Sequence, residues 1–84
     1  MDEFDLYSDL DYDVLVDSPE IAIYYANKIW RSKGFVPRKP QLVFYDEQEN
    51  IWLIRDTLPI YMVGGNHYVL ISRSGRVIAV WATA

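Results

Sequence analysis

The chain has 84 residues, half of them hydrophobic, with a net charge of −4 and no cysteine. That is enough for one domain with a small core. It excludes a disulfide framework and a thiolate metal site, and the single histidine excludes a multi-histidine one. No apolar stretch approaches the roughly 20 residues that span a bilayer. The acidic start, MDEFDLYSDL, has neither the basic nor the apolar region of a signal peptide, so a cytoplasmic protein without cofactor or membrane partner is expected.

Charge is unevenly distributed. Residues 1–20 hold eight acids and no base, whereas the remainder holds eight bases and four acids. An acidic leader on a basic body suits charge-driven association with a basic partner, and the leader itself should repel nucleic acid. Within Met1–Val16, Phe4, Tyr7 and Leu10 recur every third residue, as on a short helix, while Tyr12, Val14 and Val16 alternate as on a strand. Both patterns remain open. Residues 1–17 are therefore taken as an acidic arm, and residues 18–84 as the folded domain.

Ser18-Pro19-Glu20 reads as a helix start: a capping hydroxyl, a proline where no N–H is needed, and an acid at the positive helix end. The spacing predicts a helix over Pro19–Lys33 that stops at Gly34. Ile21, Ala22, Tyr25, Ala26 and Ile29 form its apolar face, with Ile23, Tyr24 and Trp30 off it. Pro37 and Pro40 then break regular helix. Four short runs rich in β-branched and aromatic residues follow: Gln41–Tyr45, Ile51–Ile54, Tyr68–Ile71 and Val77–Trp81. Asp46–Asn50 is a polar turn, Ser74-Gly75 closes a hairpin, and Gly64-Gly65 permits a tight turn or bulge.

The expected fold is α+β, one helix packed across a curved four-stranded antiparallel sheet of the NTF2-like or cystatin-like kind, with an acidic N-terminal arm. One helix covers one sheet face. Yet Ile51 and Leu53 are as apolar as Trp52 and Ile54, and Tyr68 and Leu70 as apolar as Val69 and Ile71. A half-wet antiparallel sheet should alternate apolar and polar. The second face therefore requires cover from the leader, a second copy or a partner.

The run Trp52-Leu53-Ile54-Arg55-Asp56-Thr57-Leu58-Pro59, then Gly64-Gly65, Tyr68-Val69-Leu70-Ile71 and Ser74-Gly75-Arg76-Val77 resembles the small NTF2-fold immunity proteins of bacterial polymorphic toxin systems. Ala22 and Ala26 match that family's alanine-rich helix face, and the likeness spans about residues 18–82. Asp56 stands where the family tends to have glycine, Ser74 where it has aspartate, and Leu70 where it is polar. The resemblance implies a non-enzymatic inhibitor that binds and neutralises a cognate toxin.

Catalytic motifs are few. His67 is the best-suited general base, though a histidine at a strand end is more often structural. Asp9, Asp11 and Asp13 have calcium-loop spacing, but Val14 stands where the loop needs glycine, and Pro19 spoils its second half. The proposed partner contacts are Asp2, Glu3, Asp5, Asp9, Asp11 and Asp13, which would steer a toxin, with Tyr24, Trp30, Tyr61 and His67 as interface anchors. Two other readings compete. One is a small-molecule binder or isomerase-like enzyme built on Asp56, Tyr45 or His67; the other is a structural module that forms a homodimer.

Overall fold

The computed structural model describes residues 14–58 and 65–83. Helix α1 spans Pro19–Ser32. The Ser18 hydroxyl accepts the Ile21 N–H at 3.2 Å and satisfies one orphan donor of the first turn. At the other end Gly34 adopts φ +85°, Gly34 N–H donates to Arg31 and Phe35 N–H to Trp30. This paired closure is the one expected where a glycine follows a helix.

The strands are β1 (Leu42–Asp46), β2 (Ile51–Arg55), β3 (His67–Ser72) and β4 (Val77–Ala82), in the order β1-β2-β3-β4 and all antiparallel. The fold is α+β, as expected. Asp46 Oδ1 accepts the N–H groups of Gln48 and Glu49, which shapes the β1–β2 turn, and Asn50 ends it at φ +54°. Gly75, at φ +90°, turns β3 into β4. The register shifts between Leu70 and Ile71, so Leu70 faces Ala79 while Ile71 faces Val77. One extra residue on β4 makes this a bulge.

Register fixes the two faces. Val43, Ile54, Val69 and Val80 lie in one cross-strand row, with Trp52 and Ile71 beside it, and this is the face under α1. Ala22, Ala26, Ile29 and Trp30 cover it from the helix, each at most 1% exposed. Trp30 corrects the expected helix face: at four residues past Ala26 it falls on the inner stripe, not off it. Val16 is also fully buried. Its N–H donates to Arg73 at 2.7 Å and its carbonyl accepts the Trp52 indole N–H at 2.8 Å. Residues just before the helix are thus stitched to the sheet, inside the stretch assigned to the arm.

Candidate protein-binding face

The opposite face of the sheet is also apolar. One row runs Leu42, Arg55, Tyr68, Trp81; the next runs Phe44, Leu53, Leu70, Ala79; the last runs Asp46, Ile51, Ser72. Phe44 is 55% exposed and Trp81 37%. Tyr68 and Trp81 stack with centroids 5.0 Å apart and planes 5° from parallel. Phe44, Asp46, Ile51, Leu53 and Leu70, with Tyr45, line an open hollow of about 340 Å³. Aromatic and aliphatic side chains at such density on a sheet surface match the anchors that bury on association. Arg55 is the one cation within these rows, and its Nε is buried without a hydrogen-bond partner.

A second cluster closes the sheet end beyond β2 and β3. Asp56, 1% exposed, accepts Arg38 Nε at 2.8 Å and Arg38 Nη2 at 3.2 Å, and the His67 backbone N–H at 2.7 Å. Its Oδ2 lies 2.9 Å from His67 Nδ1. A carboxylate oxygen only accepts, so that contact requires a proton on Nδ1, whereas Arg38 Nη2, 3.2 Å from the same nitrogen, only donates and requires a bare one; the two contacts are alternatives. Burial alone would raise the Asp56 pKa; the Arg38 hydrogen bond, the His67 N–H and the His67 ring outweigh it and hold the carboxyl below its ordinary 3.8. Arg38 Nη2 also donates to the Gly65 carbonyl at 2.9 Å, and the Phe35 ring lies 4.4 Å from that of His67. The ion pair pins the Pro37–Pro40 connector to the sheet. Every Asp56 oxygen is taken by this bracing.

Gly65 has a steric role in the same corner. A Cβ there would fall 1.8 Å from the Thr83 carbonyl oxygen, so only glycine fits against the chain leaving β4.

The sequence-based contacts fare unevenly. Asp2, Glu3, Asp5, Asp9, Asp11, Asp13 and Tyr61 lie outside the described residues. Trp30 is a correction: at 1% exposure it is core and offers a partner no surface. Tyr24 is 57% exposed on the helix, edge-on to Tyr25 and under Lys28 Nζ, 5.5 Å from its ring centroid. The His67 side chain is 24% exposed and belongs to the Asp56 network. Tyr24 lies on the helix beside Tyr25 and Lys28, whereas His67 starts β3 beside Phe35, Arg38 and Asp56. Phe44, Leu53, Leu70 and Trp81 on the outer face are not among the sequence-based contacts, although the failed apolar–polar alternation in β2 and β3 was the signal of an apolar second face.

Among the described residues no group of three acids or histidines could hold a metal ion, and no helix is long and apolar enough to cross a membrane. No protein-family model, curated protein or solved structure matches the chain.

Proposed function

We propose that this chain works by binding another protein through the outer face of its sheet, and that the partner is a cognate bacterial toxin whose working surface it occludes. The observation that carries the binding role is the exposed apolar surface of Phe44 and Trp81 around Leu53 and Leu70, on a strand set already complete on its other side. The toxin as partner, and the NTF2-like kinship of the fold, rest on the resemblance of the Trp52–Pro59, Gly64-Gly65 and Tyr68–Val77 segments to immunity proteins. The acidic leader suits a basic target, because opposite charge speeds encounter before the apolar face engages.

The test is capture from lysate of the source cell on immobilised full-length chain, followed by reconstitution with the purified captured protein. The expected result is a stoichiometric complex in which the captured protein loses its activity. Phe44→Thr should weaken that complex at least tenfold, while Tyr24→Ala, on the helix, leaves it intact. A chain that retains no partner and elutes as a stable dimer would be a structural module instead. A partner whose affinity ignores Phe44→Thr would show that the outer face is not the contact.

A further inference from the structure

We propose that the free chain pairs with a second copy of itself through the outer sheet face, in a two-fold arrangement that sets Arg55 of each copy against Asp46 of the other. The inference shares its face with the binding role proposed above but goes beyond it, because it concerns the chain alone. A foreign partner would take that face in exchange for the second copy.

Charge placement carries it. The outer rows hold one cation, Arg55, and one anion, Asp46. The register pairs Leu42 with Arg55, Phe44 with Leu53 and Asp46 with Ile51. The two charges therefore stand on neighbouring strands at opposite ends of the face, two rows and about 14 Å apart. Between them lies the apolar row Phe44, Leu53, Leu70 and Ala79. A two-fold axis along that middle row lays it on itself and sets the first row over the third. Arg55 of one copy then falls over Ile51 of the second, directly across the β1–β2 ladder from Asp46, and symmetry repeats the pair. Both groups have capacity left. The buried Arg55 Nε has no hydrogen-bond partner, and both turn N–H groups that Asp46 accepts go to Oδ1, which leaves Oδ2 for a guanidinium.

Shape agrees with charge. The first row is tall, with Arg55, Tyr68 and Trp81, and its two rings stack into one ridge. The third row is lower, and the hollow of about 340 Å³ opens between it and the middle row, among Phe44, Leu53, Leu70, Asp46 and Ile51. Exchanging first and third rows thus brings ridge to hollow at both ends at once. Four strands about 4.8 Å apart, each with five residues at about 3.4 Å, make a face of roughly 19 by 17 Å on each copy, small beside a standard interface. The pairing is accordingly weak and reversible, formed at high concentration and released on dilution.

The test is analytical ultracentrifugation of the full-length chain from micromolar to millimolar concentration, with the fold of each variant checked by circular dichroism. The native chain should pass from monomer to dimer, and Phe44→Thr should weaken the dimer at least about tenfold. Arg55→Glu sets acid against acid and Asp46→Lys base against base, so each variant alone should stay monomeric. Mixed in equal amounts they should form a heterodimer, because both of its charge contacts then join opposite signs. Asp46→Asn, which keeps the oxygen that shapes the turn and loses only the charge, should weaken the native dimer several-fold. A chain that stays monomeric throughout, or a dimer indifferent to Phe44→Thr, overturns the proposal. So does a mixture of folded Arg55→Glu and Asp46→Lys chains that fails to associate. If either charge-reversed variant does not fold, an Asp46→Asn dimer as tight as the native one overturns it instead. No foreign protein is present, so a monomeric chain would leave the binding role standing, and a captured partner indifferent to Phe44→Thr would leave the dimer standing.

Discussion

The two faces of one sheet are built from the same four strands and nearly the same residue types, yet they end in different states. On the inner face Trp52, Ile54, Val69 and Ile71 are at most 7% exposed under α1. On the outer face Leu53 and Leu70, their immediate chain neighbours, are only half buried, and Phe44 is 55% exposed. Strand propensity cannot account for the difference, because both faces have it. What separates them is cover. The inner face is spent on folding, and the outer face keeps only part of the roughly 1.5–3 kcal/mol that full burial of a large side chain contributes, for whatever comes to bury it.

That contrast can be broken most sharply by truncation on each side. Ile54→Ala leaves a cavity between Val43, Val69 and the helix and should cost about 4 kcal/mol in urea unfolding. Leu53→Ala, one residue away and on the other face, should cost about 1 kcal/mol, because it forfeits partial burial and leaves no closed void. Equal losses would mean that the outer face is as much core as the inner.

The Asp56 cluster comes next in size. Arg38→Met keeps much of the side-chain volume but removes the guanidinium from a carboxylate that is 1% exposed and leaves it only its His67 contacts, at a cost of about 3 kcal/mol. Arg38→Lys should recover only part of this, since one ammonium cannot reproduce the two-nitrogen grip on Asp56. The pH dependence follows in sign from the depressed Asp56 pKa. The stabilisation is fully present above the unfolded value near 3.8 and is lost as pH falls from there through the lower folded value. Unfolding midpoints measured in this acid range should fall more steeply for the native chain than for Asp56→Asn, which is less stable at neutral pH but loses this one contribution to the slope.

Much of this was legible in the sequence because it is local. Ser18, Pro19 and Gly34 announced α1 to within a residue, and the β-branched runs and Ser74-Gly75 gave the meander. Even the problem of the second face was visible, in the failure of Ile51–Ile54 and Tyr68–Ile71 to alternate. Long-range pairings left less trace. Nothing in Arg38 or Asp56 taken singly points to a partner 18 positions away. Gly65 reads as a turn glycine, whereas its requirement comes from Thr83 at the far end of the chain. Trp30 reads as lying off the stripe of Ile21, Ala22, Tyr25, Ala26 and Ile29; the structure fills the inner face with it as well.

The smallest expected effect bears most directly on function. Phe44→Thr keeps a β-branched residue in β1, so strand propensity is preserved, and the side chain removed is more than half exposed. Unfolding should become easier by no more than about 0.5–1 kcal/mol. The same substitution is expected to weaken partner binding at least tenfold, equivalent to about 1.4 kcal/mol and within the range of a partial interface anchor. Stability and binding would then respond in opposite order on the two faces: Ile54→Ala lowers stability far more than it alters the contact surface, and Phe44→Thr does the reverse. Should Phe44→Thr instead unfold the chain as readily as Ile54→Ala does, the outer face would be a second core, and a partner would have to bind elsewhere.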